Sequence, residues 1–131
     1  MTLLRRKGVA IVQTNKGVLV VAGRSKRYIL PGGGANMGES RLKATIRELY
    51  EETGLKTKKI EYLFSYVGKP WRTHNGRMIK NDVKAFVVEA KGIPKPRNEI
   101  KYVDYWKPGS KLNLTSSTKW AIEKYINIKN K

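Results

Sequence analysis

Residues 32–55, from Gly32 to Leu55, read GGGANMGESRLKATIRELYEETGL. Three glycines in a row after Leu30-Pro31 interrupt any regular element and let the backbone come close to other groups. From Ser40 to Thr53 the pattern becomes helical. Leu42, Ile46 and Leu49 fall at i, i+4 and i+7, and Thr45 lies on the same face, where its methyl group can join the packing. Ser40 is placed to cap the amino end, although Lys43 stands where a full capping box would have Glu. Gly54 suits the left-handed position beyond the last turn.

The other face of this helix is harder to account for. The chain has 10 acidic residues against 28 basic ones, and Glu39, Glu48, Glu51 and Glu52 all fall in this one segment. Glu48, Glu51 and Glu52 share a face at i, i+3 and i+4. Like charges at that spacing weaken a helix by roughly a few tenths of a kcal/mol per pair, and anions near the carboxyl end oppose the helix dipole. Local propensity gives no reason to place them there, whereas a divalent cation does.

Outward from this segment, 8–14 (GVAIVQT) and 18–22 (VLVVA) are β-branched runs around a turn containing Gly17, which predicts a hairpin. Both runs are almost wholly apolar, so cover on both faces is expected. After the helix, 59–68 reads as a strand, with Ile60, Tyr62, Phe64 and Tyr66 at even spacing and Leu63 and Val67 opposite. Further strands are expected in 82–90 and 100–106. Thr115-Ser116-Ser117 caps a final helix over about 118–128, packed through Ala121, Tyr125 and Ile128, with Trp106 and Trp120 structural. Strands, helix, strands, helix in this order predict an α/β fold with a central mixed sheet and a helix on each side. At 131 residues, with no linker or repeat, one domain over 1–131 is expected.

The net charge of +18 favours an anionic partner such as a nucleotide, RNA or DNA, although scattered lysines read equally as an ordinary soluble surface. There is no cysteine, which excludes disulfides, thiolate metal sites and cysteine nucleophiles and fits a cytoplasmic protein. No apolar run approaches membrane-spanning length, so no membrane partner is expected. Arg5-Arg6-Lys7 precedes an apolar run too short for a signal peptide.

The central segment resembles the Nudix box of the Nudix hydrolase superfamily, and most closely its small MutT-like members. Gly33, Glu39, Arg47-Glu48, Leu49, Glu51-Glu52 and Gly54-Leu55 stand at every specified position of that box. The resemblance implies an α/β/α sandwich and hydrolysis of a nucleoside diphosphate linked to another group, by water attack at phosphorus with Mg2+ or Mn2+. Clustered carboxylates suit such hard cations, and a single His without Cys suits zinc poorly. By the family's roles Glu51 and Glu52 are metal ligands, and Glu48 is a ligand or the general base. The backbone carbonyl of Gly32 or Gly33 completes the shell, and Glu39 orients it through Arg47. A further acid comes from outside the box in some members. Asp82, Glu89, Glu99 and Asp104 are candidates, and Glu99, just before the strand at 100–106, lies where the resemblance puts it.

The box specifies the bond to be broken and leaves the substrate open. A mononucleotide, (d)NTP cleaved to the monophosphate and pyrophosphate, is the first expectation. Dinucleoside polyphosphate, ADP-ribose and the 5′ end of RNA are alternatives, as is a non-catalytic nucleotide-binding or RNA-binding domain. Arg24 and Arg27, in the basic loop before the box, are candidates for phosphate contact. Tyr28 is either core or a platform for the base. Trp71, beside Pro70, is a second platform, with Arg72 next to it for phosphates or base edges. Family members are often homodimers, but the sequence shows no interface.

Overall fold

The computed structural model describes residues 2–131. In chain order its elements are β1 (Thr2–Ile11), β2 (Gln13–Thr14), β3 (Gly17–Ala22), β4 (Gly32–Gly34), α1 (Arg41–Thr53), β5 (Lys56–Val67), β6 (Trp71–Arg72), β7 (Met78–Lys91), β8 (Tyr102–Trp106) and α2 (Ser116–Lys129). A mixed sheet runs β4-β1-β7-β5 with β6 added on β7, and a second sheet runs β2-β3-β8. β1 and β7 lie parallel from Thr2 beside Met78 to Ile11 beside Val87, while β5 is antiparallel to β7.

Alternate residues of the long strands enter two separate cores. Val9, Ile11, Val18, Val20, Val83 and Ala85 pack with Ala121, Ile122 and Tyr125 of α2. Ala10, Val12, Leu19, Phe86 and Val88 pack with Leu49 of α1. The strands are therefore buried on both faces between the two helices, which is the α/β/α sandwich.

The expected hairpin of 8–14 with 18–22 does not form as such. Only Gln13 and Thr14 pair with β3, opposite Val18 and Gly17. β1 belongs to the mixed sheet, flanked by β4 and β7. Two strands that each need cover on both faces can be placed in different sheets. The chain changes sheet at Val12, whose carbonyl still accepts from the Leu19 amide at 3.0 Å.

The even-numbered set on β5 is also divided. A register shift between Tyr62 and Phe64 sets these two residues opposite consecutive partners, Phe86 and Ala85. A bulge of this kind turns the following side chains to the other face. Ile60 consequently packs with the α1-side core, and Phe64 and Tyr66 with the α2-side core.

Both helices have the expected caps. Ser40 accepts from the Lys43 amide at 3.1 Å, Gly54 is left-handed with φ 78°, and Thr115 caps α2. The apolar stripe on α1 is rotated from the one expected. Leu42 is exposed, whereas Ala44, Thr45, Leu49, Glu52 and Thr53 are buried. The tightest approach to β1 is the cause. A Cβ on Gly8 would strike Thr45 Oγ1 and the Arg41 carbonyl, so a small residue faces the sheet there. The same rotation carries Glu52 onto the buried side of the helix. On α2, Ile128 is exposed and Ile122 takes the buried place.

Candidate active site

β4 is an edge strand of three glycines, antiparallel to Lys7, Gly8 and Val9 of β1, and the carboxylates of α1 come up against it. The Gly32 amide donates to Glu52 Oε1 at 3.0 Å. A Cβ on Gly33 would lie 2.5 Å from Glu48 Oε2, so glycine leaves the space that the Glu48 carboxylate fills. Arg47 ties the rest together. Its Nε and Nη2 donate to the two oxygens of Glu39, both at 2.9 Å, and Nη2 also donates to the Gly34 carbonyl at 3.0 Å. Nη1 meets Glu48 Oε1 at 2.5 Å and Glu51 Oε2 at 3.4 Å. Glu39 additionally accepts from the Asn36 amide at 2.9 Å, closing the loop between β4 and α1.

The electrostatics follow from this placement. Glu52 is pushed up to about 8, chiefly by burial, and the nearby Glu48 adds to the shift against the Gly32 amide. Burial also raises Glu48, opposed by Arg47. Glu39 is held down at about 2, mainly by its hydrogen bonds from Arg47. Lys7, beside this cluster, is lowered by burial and by Arg5. Two adjacent carboxylates that resist ionisation in a buried site are a feature of proton-handling and cation-binding centres.

Among the described residues no three His, Asp or Glu side chains already enclose a position for a metal ion. Glu48 and Glu51 are turned to Arg47 and Glu52 to Gly32. The donor set nevertheless fits a hard divalent cation: it is all oxygen, clustered on one side of α1, and backed by a glycine cradle that a single Cβ would fill.

The loop between β7 and β8 is stitched to the end of α1. Lys95 and Arg97 amides donate to the Thr53 and Glu52 carbonyls at 3.0 and 3.1 Å, and Asn98 Nδ2 donates to the Glu51 carbonyl at 2.8 Å. Of the four acids considered outside the box, Glu99 in this loop is the one whose charge acts on Glu52. Asp82 pairs with Arg41 at 3.1 Å, Glu89 with Lys58 at 3.7 Å, and Asp104 lines a groove with Tyr28 and Tyr102.

The substrate candidates are dispersed. Arg24 and Arg27 are exposed in the loop before β4 and form no ion pair among the described residues. Tyr28 is 7% exposed and packs in the α2-side core. Trp71 and Arg72 form β6, beside Ile79 and Met78. Other residues, most of them not singled out from the sequence, gather next to the glycine strand. A cavity of about 60 Å³ beside β4 is lined by Lys7, Leu30, Tyr66, Asn81 and Thr118, among others. Arg5 stands against Gly34, its Nε 3.0 Å from where a Cβ would be. Of these, Tyr66 falls in the even-spaced set of its strand and Arg5 and Lys7 in the basic run Arg5-Arg6-Lys7, whereas Asn81 carries no signal in the sequence.

A family model for the NUDIX domain matches residues 4–125. The chain belongs to the Nudix family. It is 36% identical to a nudix hydrolase family member from Chromobacterium violaceum, whose structure it matches with a TM-score of 0.83 over 98% of this chain and 80% of that one. A MutT NUDIX hydrolase from Burkholderia pseudomallei, 21% identical, shares the fold with a TM-score of 0.67, over 92% of this chain and 96% of that one. An RNA pyrophosphohydrolase from Brucella anthropi is 42% identical over 66 residues, an alignment covering 40% of this chain and 37% of the relative. The matches to such curated relatives thus span less than half of their length.

Proposed function

We propose that the protein hydrolyses a phosphoanhydride bond of a nucleoside diphosphate derivative with Mg2+ or Mn2+, acting first on a (d)NTP to give the monophosphate and pyrophosphate. The observation that carries this reading is the seating of Glu48 and Glu52 against the glycine strand, with Arg47 bridging Glu39, Glu48 and Glu51.

Glu48, Glu51 and Glu52 would hold the cation, with a carbonyl of Gly32 or Gly33 and Glu99 as further oxygen donors. The chemistry supplied by a cation bound there is neutralisation of the polyphosphate and acidification of a water. Glu48 or Glu52 takes the proton from the attacking water, and burial favours proton uptake by either. Arg47 and Glu39 hold the carboxylates in place without touching the reacting atoms. Trp71 and Arg72 are assigned to the base and phosphates. Arg24, Arg27 and Tyr28 are less well supported, given the exposure of the arginines and the burial of the tyrosine.

A second reading is a substrate with the same anhydride at the 5′ end of RNA. Its support is the resemblance to RNA pyrophosphohydrolases and the charge of +18. The test is a panel of (d)NTPs, dinucleoside polyphosphates, ADP-ribose and 5′-triphosphorylated RNA, with product identification, with and without Mg2+ or Mn2+. Metal-dependent release of pyrophosphate from a (d)NTP is the expected result. Turnover that needs no divalent cation would sink the mechanism.

A further inference from the structure

β8 is the last strand of the smaller sheet, and its outer edge has no neighbouring strand among the described residues. The bonds made by β3 tell which backbone groups face that edge. Val21 and Ile29 exchange amide-to-carbonyl bonds at 2.9 and 2.8 Å, and the Leu19 amide donates to the Val12 carbonyl at 3.0 Å. Val21 and Leu19 therefore point away from β8. Their register partners are Val103 and Tyr105. In an antiparallel ladder such partners point away from each other, so Val103 and Tyr105 turn their N–H and C=O groups to the free edge. The Tyr105 amide there donates to Oδ1 of the adjacent Asp104 at 2.8 Å, a local bond that an incoming carbonyl can replace.

This edge lies in a groove of about 450 Å³. Residues 101–105 all line it. Successive side chains of a strand alternate between faces, so a groove touching every one of them follows the edge itself. One wall is Ile93, Pro94 and Pro96, from the loop stitched to the end of α1. Ile93 is 82% exposed, and the prolines have no amide to offer β8. The other wall is Tyr28 and Tyr102. Cations stand at both ends. Lys16 Nζ lies 5.6 Å from the Tyr105 ring, and Lys101 lies at the other end, near Lys26, whose Nζ is 5.0 Å from the Tyr102 ring. The outer edge of β5 differs. It carries Lys56, Lys58, Lys59 and Glu61 together with two register shifts, devices by which a sheet turns further strands away. Between Tyr102 and Trp106, β8 has only Asp104, which is engaged with the Tyr105 amide.

We propose that the β8 edge is a docking site for an extended, acidic segment of a partner protein, which adds to the sheet as a further strand. Main-chain bonds to Val103 and Tyr105 hold the segment, as in other cases of strand addition. Its apolar side chains rest against Ile93, Pro94 and Pro96, and carboxylates at its two ends meet Lys16 and Lys101. A second copy of this chain is the poorer occupant. Antiparallel pairing of two β8 edges sets the Lys101 end of one against the Lys16 end of the other, and like charges facing each other across strands are destabilising. The docking site does not depend on which reaction the carboxylate cluster catalyses.

The probe is the peptide acetyl-Glu-Glu-Val-Thr-Val-Glu-Glu-amide, titrated into the isotope-labelled full chain and followed by NMR. Saturable shifts centred on Val103 and Tyr105 are expected, with slower hydrogen exchange at both amides. The same peptide methylated at every backbone nitrogen keeps the side chains and loses the donors, and it should bind at least tenfold more weakly. Lys16→Glu/Lys101→Glu should weaken binding of the acidic peptide by about tenfold and favour a peptide with Lys in place of Glu. Asp104→Ala, which frees the Tyr105 amide, should bind about twofold to fivefold more tightly. Shifts that do not saturate or that centre elsewhere overturn the proposal, as does equal binding of the methylated peptide. So does a dimer through β8, seen by sedimentation, that the peptide fails to displace.

Discussion

Arg47 grips Glu39 with two parallel hydrogen bonds, Nε to Oε2 and Nη2 to Oε1, both 2.9 Å. The pair joins the loop after β4 to the middle of α1, and the remaining nitrogen of the same guanidinium reaches Glu48 and Glu51. Lysine would keep the charge and lose the planar fork. Arg47→Lys should therefore lower kcat by about 10- to 100-fold with a small change in KM, as expected for a group that orients metal ligands. Steady-state kinetics over a range of Mg2+ concentrations checks this. A pure KM effect would mean that Arg47 touches substrate instead.

Gly33 and Glu48 occupy adjoining space, and an alanine methyl at Gly33 would stand 2.5 Å from the carboxylate. Gly33→Ala should displace Glu48 and cut kcat by about a hundredfold, comparable to removing a group that stabilises the transition state. Because a carboxylate on the end of a flexible side chain can swing away, the cost in folding stability should stay near 1 kcal/mol. Urea titration alongside kinetics separates the two effects.

Glu52 is buried, and burial pushes its carboxyl up to about 8. Glu52→Gln keeps an oxygen for the Gly32 amide and removes the charge. Turnover at saturating Mg2+ should fall about a hundredfold or more, while the metal-free protein keeps or gains thermal stability. The native protein should gain Tm on adding Mg2+ or Mn2+ and the variant should gain much less. Full turnover in the variant would exclude Glu52 from the chemistry.

Gly8 is where α1 lies against β1, and any side chain there would meet Thr45 and the Arg41 carbonyl. Backbone cannot yield as a flexible side chain can. Gly8→Ala should destabilise the fold by about 1–3 kcal/mol or more. Chemical denaturation at neutral pH measures it. An unchanged midpoint would mean that α1 does not sit at this distance.

Tyr66 packs beneath Trp120, ring centroids 5.1 Å apart, and burial pushes its hydroxyl up to about 12. The ordinary value is about 10. Below pH 10 the group is neutral folded or unfolded and contributes no pH dependence. From pH 10 to about 12 only the unfolded chain loses the proton, so stability falls as pH rises, by roughly 2–3 kcal/mol in total. Tyr66→Phe should remove this part of the alkaline destabilisation. Denaturation midpoints of both proteins from pH 9 to 12 give the comparison, and parallel curves would refute the assignment.

The sequence alone determined the box, the two helices with their caps, and the two-sided burial of the central strands. Each is a local signal: residue spacing, a capping side chain, a glycine after the last turn. Sequence periodicity does not state which strand lies beside which. Tertiary packing decided that β1 pairs with β7 and β4 instead of folding back on β3, because two runs that both need double cover can separate into two sheets. It decided that the bulge at Tyr62–Phe64 divides one even-spaced set between two cores. It also decided which face of α1 is buried. Leu42 looked apolar enough for the core, but close approach at Gly8 favours Thr45, and the turn of the helix then buries Glu52 beside the Gly32 amide. Spacing marked the glutamates as a cluster; only the edge strand β4, held in place by β1, gives them something to close upon.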